Sequence, residues 1–564
     1  MRKLLFLCLF AIAFLWASDP IPLYFQGNRH IPADKLYEVV GVPKPLFFEF
    51  WKPNPRIDPD KVRALLPAIE GYYKSMGFYH AKAAAILKGD KVVIRIDEGP
   101  RIHVADVAVI SKLPIRSLIP FKKGSPFTAQ AFSESKKRIL KYYRNHHYCN
   151  VHLKAKAYID IEKNLAYLVY DVTPGQTCVF GRITIHPPKN VEARIIRSLL
   201  HFSPGMPYSK EAIRQSYLEL YANEGVERVI IDDNDRNGSR VPVDVTVTTY
   251  DRPLHLTLGG GFDSDEGLSL QAALKHRNFF GNLHTFGIEA RYTQVRRYLR
   301  FAGDMPLAHH NRVAGRLGIR QERFDGYDEN ALTARLDLKH NRMPHYFTES
   351  LIFDRSEVRH SSDPIQTPND TLSIMSLRAD WIADTRDSIL DPTRGYRLEL
   401  AIQGAIEGIV SDAGYLKSEG SFAWDHPLHG DVVAARIHAG SIEIASGRIP
   451  PSYRFYAGGM NSNRAWNYRD LGPKNRAGDP MGALSLVEST LEWRHLLSPS
   501  FRGVVFTDLT WLGEEGWPDF GVTYPAVGVG IRYLSPMGPI AFDIGVDPKD
   551  YRQYAIHFHI GELF

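Results

Sequence analysis

The sequence contains one long apolar run and no second. Residues 1–18 begin with two basic residues after the first methionine, continue with the apolar run of residues 4–16 and end in small residues, the pattern of a secretory signal peptide. A membrane anchor is the alternative, although the run is shorter than the roughly 17–25 residues of a spanning helix. Since no other uninterrupted run of about 18 apolar residues follows, the mature chain can cross a membrane only as a closed barrel.

Cysteine is scarce as well, and neither sign of charge dominates. Of the three cysteines, Cys8 lies in the signal segment, which leaves Cys149 and Cys178 to pair in an oxidising compartment or to remain separate thiols. The 69 basic and 63 acidic residues are well mixed and give a net charge of +6. This balance is not typical of nucleic-acid binding, so we expect no nucleic-acid partner.

Catalytic and metal-binding signatures are missing too. The sequence has no G-x-S-x-G, no H-E-x-x-H and no P-loop, so we expect neither an enzyme nor a bound cofactor. His146 with His147, and His309 with His310, are adjacent pairs that would point apart on a strand, so solvated histidines are the better interpretation. We therefore predict no metal site.

One stretch has the ligand spacing of a calcium loop. Asp233, Asp235, Asn237 and Gly238 follow the pattern D-x-[DN]-x-[DN]-G, and Asp244 stands where the bidentate acid belongs. The flanks are strand-like and not helical, so a polar hairpin turn explains the pattern, and we expect no calcium.

The chain changes character near Tyr250. Residues 20–250 alternate helical and strand patterns, whereas residues 251–564 are almost wholly strand-like and rich in glycine and aromatic residues. The second part has room for roughly 16 tilted membrane strands of about 9–11 residues each. A soluble β-sandwich would show the same alternation, but the signal peptide and the terminal Phe564 favour a transmembrane antiparallel β-barrel.

The first part is internally repetitive. The stretch that begins at Phe121 aligns with the one that begins at Phe202, so that a Gly and a Pro precede an amphipathic helix in both. An earlier copy, together with the strand pair that follows each helix, predicts three units of the type β-α-α-β-β. We place the signal peptide at residues 1–18, the repeats at residues 19–99, 100–174 and 175–250, and the barrel at residues 251–564.

One loop of the second part is rich in side chains with specific chemistry. The stretch GGMNSNRAWNYRDLGP, residues 458–473, carries two arginines among glycines and aromatic residues. A guanidinium is permanently charged, so burial of Arg464 would require a carboxylate partner. Glu488, Glu492 and Asp508 on the following strands are candidates, and the alternative is an extracellular loop whose arginines face water.

Several stretches resemble the POTRA-barrel outer-membrane assembly proteins, the BamA and TamA superfamily. The loop is similar to the lumenal lid-loop motif of that family, usually written [VI]RG[FY]. WIADTRDSILDPTRGYRLEL, GVVFTD, VGVGIRYLSPMGPIAFDIG and the terminal HFHIGELF resemble further barrel segments. The resemblance implies an α+β architecture of POTRA repeats followed by a barrel, and three repeats make the TamA type, the outer-membrane subunit of the translocation and assembly module, the most similar.

The resemblance also implies a lock between the lid loop and the barrel wall. Arg464 matches the arginine of the motif, and Asp508 matches the acidic residue that receives it in the family. Glu492 is a second partner by its polar parity along its strand. Asp508, in contrast, shares parity with the apolar Val504 and Phe506, so alternation alone does not direct it into the lumen.

The lid loop departs from the family motif at three positions. Asn463 replaces the aliphatic residue, Ala465 the glycine and Trp466 the Phe or Tyr, whereas Gly458 and Gly459 precede them. A β-carbon at position 465 disfavours a positive φ. Either the tip of the loop needs only ordinary backbone angles, or it docks differently from its relatives.

In the family, the barrel closes through its first and last strands, here residues 254–262 and 554–564. The resemblance implies that this seam pairs with a client strand by β-augmentation. Three glycines in the first strand would weaken its packing, or would simply allow it to bend. The seam and the C-terminal signal are expected to comprise Gly259, Gly260, Gly261, Phe558 and Phe564.

The function implied by the resemblance is protein assembly and translocation at the outer membrane, with the repeats in the periplasm. Expected partners are unfolded outer-membrane protein clients such as autotransporters, a TamB-like periplasm-spanning protein, and outer-membrane lipid. Two alternatives stay open, namely a general insertase of the BamA type and a passive channel of the two-partner secretion type.

Overall fold

The computed structural model describes residues 20–42, 55–236, 238–307, 310–342, 344–408, 410–498, 500–535 and 538–560. The predicted signal peptide and Phe564 lie outside these residues. The chain divides into two compact units. The described residues of Met1–Thr184, Phe202–Arg214 and Asp232–Val243 form the first unit, and those of Ile185–His201, Gln215–Ile231 and Asp244–Phe564 form the second.

The first repeat is a four-stranded sheet with two helices on it. Its elements are β1 Ile21–Gln26, α1 Ala33–Val39, β2 Arg56–Ile57, α2 Val62–Ser75, β3 Lys82–Lys88 and β4 Lys91–Asp97. The strand order is β2-β1-β4-β3, in which β1 runs parallel to β4. The helices bury apolar side chains against the sheet, with Leu36, Ile69 and Tyr73 fully inaccessible to solvent.

The second repeat has one helix fewer than predicted. Its elements are β5 His103–Ile110, α3 Ala129–Asn145, β6 His152–Asp160 and β7 Leu165–Thr173, in the order β5-β7-β6. Where the sequence pattern predicts a first helix, the chain forms a single 3-10 turn at Arg116–Leu118. Pro114 and Pro120 flank this turn, and proline limits helix extension on both sides. Helix α3 begins normally, because the side chain of Thr128 caps it by accepting from the N–H of Ala131.

The third repeat completes the series. Its elements are β8 Val179–His186, α4 Ala193–Ser198, α5 Lys210–Tyr221, β9 Val226–Asp232 and β10 Arg240–Thr249, in the order β8-β10-β9. A disulfide joins Cys149, after α3, to Cys178, just before β8, with their Cα atoms 5.8 Å apart. Of the two alternatives that the sequence left open for these cysteines, the structure has the paired one.

Residues from 254 onward form one sheet of 16 strands, each antiparallel to the next in sequence, so the predicted number is confirmed. The strands are β11 Leu254–Asp263, β12 Gly267–His276, β13 Thr285–Tyr292, β14 Arg296–Pro306, β15 Asn311–Phe324, β16 Tyr327–Arg342, β17 His345–Arg359, β18 Thr371–Asp384, β19 Gly395–Ala405, β20 Ala413–Leu428, β21 Asp431–Gly447, β22 Ser485–Ser498, β23 Phe501–Gly513, β24 Tyr524–Ser535, β25 Gly538–Asp547 and β26 Asp550–Ile560.

The wall of this nearly closed barrel is apolar outside and polar inside. On β22, Leu491 and Trp493 are exposed, whereas Glu492 and Arg494 between and beside them are fully buried. Successive side chains of a strand point to opposite faces, so this alternation separates an outer apolar surface from a polar lumen. Within the described ranges, no helix is both long enough and apolar enough to cross a membrane.

Candidate functional site

The loop between β21 and β22, residues 448–484, folds into the barrel and is referred to below as the lid loop. It makes its own antiparallel bridges, Phe455 with Ala483 and Ala457 with Leu471, and all four of these residues are buried. Their side chains pack in a cluster with residues of the surrounding strands, Leu512 among them. The lid loop is therefore an ordered plug with a small core of its own.

At the tip of the lid loop, Arg464 is completely buried against the barrel wall. Its Nε and Nη2 donate to the two oxygens of Asp508 at 3.0 and 2.9 Å, and its Nη1 donates to Glu492 Oε2 at 2.9 Å. The guanidinium also lies 3.3 Å above the ring centroid of Phe506. A planar guanidinium that meets one carboxylate with two nitrogens is held in both position and orientation.

Asp508 faces the lumen although Val504 and Phe506, which precede it on that face, are apolar. Val504, Phe506, Asp508 and Thr510 share one parity of β23, and all four are buried. The inner face of β23 is mixed because the lid loop packs on it, and the Phe506 ring supports the guanidinium. The residues of β23 that share the parity of Asp508 therefore face the lumen, including the apolar Val504 and Phe506.

The buried charges form a larger network than the sequence indicates. Arg494 Nε donates to Glu492 Oε1 at 2.9 Å, and Arg532 Nη1 donates to Asp543 Oδ1 at 2.5 Å. Asp543 also accepts from Arg464 Nη1 at 3.4 Å. Because Arg532 and Asp543 lie on β24 and β25, only the pairing of strands brings them to Arg464, and no local motif reveals it.

The three departures from the family motif fit the docked tip. Ala465 is buried and is not among the residues with positive φ, so an ordinary backbone suffices there. Asn463 donates to the carbonyl of Tyr524 at 2.9 Å, and the Trp466 ring meets the Tyr524 ring edge to face at 5.9 Å. Asn463 and Trp466 thus both contact β24.

Glycine occupies positions where the tip of the lid loop and the barrel lie in close contact. Gly459 has a φ of 104°, and a β-carbon there would lie 2.7 Å from the Asp265 carboxylate. On β25, a β-carbon at Gly545 would lie 2.1 Å from the Arg464 carbonyl oxygen. Gly458 likewise has a positive φ, 98°. The tip of the lid loop therefore sits directly on the wall, with no room for larger residues.

The lid loop contacts β26, the last strand of the sheet, and the turn that follows β11, the first strand. The N–H of Met460 donates to Asp265 Oδ2 at 3.1 Å, in the turn that follows β11. On β26, Gln553 Nε2 donates to the Ala465 carbonyl at 2.9 Å, and His557 Nε2 lies 3.2 Å from the carbonyl oxygen of Arg464. The same short segment thus contacts both sides of the place where the barrel closes.

The two end strands do not share a ladder in the part of the chain that the structure describes, since the strand order runs from β11 to β26 without a join. The N–H of Phe558 instead donates to Ser264 Oγ at 3.4 Å. The strand β26 begins at Asp550, four residues before its predicted start at residue 554. Gly259, Gly260 and Gly261 lie on β11 opposite Gln271, Leu270 and Ser269 of β12; the first two are exposed and Gly261 is half-buried.

A second anchor of the lid loop escaped the sequence analysis. Arg469, with a φ of 59°, stacks its guanidinium 4.0 Å from the Phe324 ring centroid and 4.5 Å from that of Tyr456. Nearer the base of the loop, Ser452 Oγ donates to Glu329 Oε1 at 2.6 Å. Phe324 lies on β15, and of the aromatic residues in the stretch 458–473 it is Tyr468 whose ring centroid also lies near Arg469, at 5.5 Å.

The predicted polar turn lies where its flanks place it, between β9 and β10. Asn237 is outside the described residues. Asp233 is buried and accepts from Tyr208 Oη at 2.6 Å, Lys210 Nζ at 2.8 Å and Arg236 Nη2 at 2.8 Å. The carboxylate that would begin a calcium loop is engaged by three donors of the protein.

The two histidine pairs have different surroundings. His146 and His147 are exposed, as predicted. His309 lies outside the described residues, but the prediction that His310 is solvated is wrong, because His310 is half-buried and stacks on His201 with ring centroids 3.9 Å apart. Sequence neighbours cannot reveal this contact, since His201 belongs to the third repeat and His310 follows β14.

Comparison with known proteins places these features in a family. The model of the Omp85 superfamily domain matches residues 259–564, more than half of the chain. The POTRA model, described as a surface antigen variable number repeat, matches residues 23–99 and 102–175.

Curated relatives and a solved structure agree with that match. The outer membrane protein assembly factor BamA of Nitratidesulfovibrio vulgaris is 20% identical over 591 residues, covering 96% of this chain and 72% of that protein. BamA of Neisseria meningitidis serogroup B is 20% identical over 504 residues, covering 80% of this chain and 62% of that protein, so this chain spans less than two thirds of it.

The crystal structure of BamA from Haemophilus ducreyi lacking POTRA domains 1-3 superposes with a TM-score of 0.57 at 17% identity, covering 81% of this chain and 99% of that one. It shares the fold. The barrel of this chain lies in the outer membrane, and its N-terminal repeats lie in the periplasm. From its barrel and its repeats, the chain belongs to the Omp85 superfamily.

Proposed function

We propose that this protein assembles outer-membrane β-barrel clients at the seam between β11 and β26, and that the lid loop latches that seam. The observation that carries the proposal is the contact of one loop tip with both sides. Met460 binds Asp265 beyond β11, and Ala465 binds Gln553 on β26. A movement of either end strand must therefore disturb the docked tip, which couples opening of the seam to release of the latch.

Backbone pairing at the edge strands is the proposed mechanism of assembly. An unpaired edge presents backbone N–H and C=O groups that another strand can pair with, and such β-augmentation needs no catalytic residue. A client strand would join β11 or β26 and fold against it, and its own folding would drive the process. We accordingly assign no enzymatic activity to the chain.

The partners follow from this mechanism and from the resemblance of the sequence. Clients such as autotransporters would reach the seam through the periplasmic repeats, whose sheet edges can hold extended chains. A TamB-like periplasm-spanning protein would cooperate with a protein of the TamA type, whereas a general insertase of the BamA type would work without one. Crosslinking in cells and identification of a very long β-rich partner would favour the TamA type. Crosslinking only to other outer-membrane components would favour the BamA type.

A reversible crosslink across the seam tests the proposal. Ser264→Cys with Phe558→Cys places one thiol on each side, where Ser264 Oγ and Phe558 N are 3.4 Å apart. In vesicles that contain this variant, oxidation should stop insertion of an unfolded client, and reduction should restore it. Insertion that proceeds unchanged with the seam closed would rule the mechanism out.

Two matched controls accompany this experiment. Ala272→Cys with Ala290→Cys joins β12 to β13 in register, within a regular ladder, and its oxidation should leave insertion intact. The parent protein under the same reductant reports any effect of reducing the native disulfide. A channel, the alternative function, predicts instead that Arg464→Ala raises a steady ion conductance while client insertion stays near zero throughout.

A further inference from the structure

Three ligand-type side chains meet where the third repeat and the barrel lie in one compact unit. His201 follows α4, Glu219 lies on α5, and His310 lies in the turn between β14 and β15. Each offers a ligand atom, and these atoms all lie within 4.8 Å of one another. The two imidazole rings stack at 3.9 Å with an angle of 15° between their planes.

One oxygen of the buried carboxylate in this cluster has no hydrogen-bond partner in the described structure. Glu219 is 5% exposed, and within the described structure its Oε1 accepts from no donor. His201 Nε2 also lacks a partner there. Buried polar atoms are almost always satisfied, so two such atoms that converge on one point indicate a ligand that belongs between them.

Arg312, a cationic side chain near this cluster, is paired with other residues. Arg312 is buried, ion-paired to Asp304, and its Nη1 donates to Asn223 Oδ1 at 2.5 Å. Asn223 in turn donates to the backbone carbonyl of Glu219 at 2.9 Å, which fixes the last turn of α5. Arg312 thus contributes a favourable field to Glu219 and leaves its Oε1 open.

The histidine chemistry suits a metal. A neutral imidazole offers a nitrogen lone pair to a metal ion. Two imidazole nitrogens and one carboxylate oxygen are a donor set typical of Zn²⁺, with room for one water. Ligand atoms around a four-coordinate zinc lie roughly 3.3 Å apart. The ligand atoms lie within 4.8 Å of one another, and at least one of the two stacked rings must rotate out of the stack to direct its nitrogen at a shared ion.

We propose that His201, Glu219 and His310 bind one divalent transition-metal ion, Zn²⁺ in the first instance. Two ligands come from the third repeat and one from a barrel turn, so the ion would clip the last periplasmic repeat to the barrel. None of the three residues belongs to the lid loop or the end strands, so the site does not depend on the function proposed for the seam.

Zinc titration of the full-length, detergent-solubilised protein tests the site. The protein should carry no histidine tag and should be stripped with a chelator, after which calorimetry with Zn²⁺ alone is expected to give one ion per chain. Glu219→Gln and His310→Asn should each weaken binding by more than about 100-fold, beyond the 10–100-fold that follows loss of a ligand's supporting partner. Asparagine is the choice at position 310 because its φ is 63°.

A matched histidine provides the control. His429 lies exposed in the turn between β20 and β21 with a φ of 52°, so His429→Asn makes the same chemical change at the same kind of backbone and should bind zinc like the parent. Zinc should raise the melting temperature of the parent and of His429→Asn, and not that of His310→Asn. Co²⁺ should give the intense visible absorption of a four-coordinate site.

The proposal fails if the stripped parent binds no zinc, or if His310→Asn and His429→Asn bind it equally. It also fails if all variants lose zinc together while each keeps the gel mobility of the folded barrel.

Discussion

The periplasmic repeats and the barrel bury opposite kinds of side chain. In the second repeat, Ile139, Tyr143 and Ala166 are fully buried and form an apolar core. In the barrel, the largest fully buried side chains include Arg464 and Arg494. The apolar side chains of the barrel wall face the lipid, and the polar side chains face the interior.

Because of this difference, different interactions stabilise the two regions. An apolar core tolerates shifts in packing as long as its volume is filled. A buried guanidinium must keep its carboxylates, because a single unpaired charge left behind is far more destabilising than a lost methyl group. The barrel interior therefore specifies the position of the lid loop more sharply than any repeat core specifies a loop.

The largest effect is expected where the barrel's charge network is broken. Arg464→Ala leaves Asp508 buried without its guanidinium partner and should destabilise the docked lid loop by about 3–5 kcal/mol. Glu492, in contrast, keeps Arg494 as a partner. The folded barrel should lose its heat resistance on a gel at a lower temperature. Arg476→Ala, an exposed arginine of the same loop, should match the parent. Equal heat resistance of Arg464→Ala and the parent would contradict a lock at this site.

In the repeats, the comparable damage comes from an apolar deletion. Ile139 is fully buried on α3, and Ile139→Ala should cost about 3 kcal/mol through lost burial and a cavity. All five α-helices of the described structure lie in the repeats, so helical circular dichroism follows their unfolding selectively. Ile110→Ala, which is 61% exposed in the same repeat, is the control and should change little. The contrast disappears if both variants unfold at the same denaturant concentration.

The same substitution of glycine by alanine should destabilise the protein at a crowded position of the barrel wall and not at an open one. Gly545→Ala places a β-carbon 2.1 Å from the Arg464 carbonyl, and displacement of the loop tip should cost about 1–3 kcal/mol. Gly315→Ala, on β15, meets nothing within 4 Å. Protease accessibility of the lid loop should rise in the first variant and stay unchanged in the second. If the two respond alike, the tip does not rest on β25.

The smallest effect is expected at Asp233, a buried and ion-paired carboxylate of the third repeat. Burial alone would raise the pKa of Asp233, but hydrogen bonds from Lys210 and Tyr208 outweigh it and the net pKa lies below 3.8. A folded pKa below the unfolded one stabilises the repeat above about pH 4, and this contribution fades as the pH falls through the folded value.

Asp233→Asn should therefore cost about 1–2 kcal/mol near neutral pH and flatten the acid limb of the stability curve, followed by the same helical signal. Asp244→Asn, at an exposed position on β10 of the same repeat, is the matched control and should retain the parent's acid limb. A parent whose stability does not change below pH 4 would remove Asp233 as a stabilising group.

The architecture was readable from sequence because it rests on periodic patterns. Alternation along β22 gave the lumenal side of Glu492, and repetition gave three units, although two prolines shortened one helix to the turn at Arg116–Leu118. Asp508 was harder, since its face of β23 is mixed. Arg532 and Asp543 join Arg464 only through strand pairing, and the contact of His201 with His310 is equally non-local, so neither has a signature along the chain.

The disulfide between Cys149 and Cys178 has a mechanical consequence for the repeats. It closes a loop that contains the whole hairpin of β6 and β7. Tension along the chain, such as a client held at one end would exert, passes from Cys149 to Cys178 through the covalent bond and bypasses the hairpin. The second repeat can therefore bear a pull on the chain without that hairpin being unzipped.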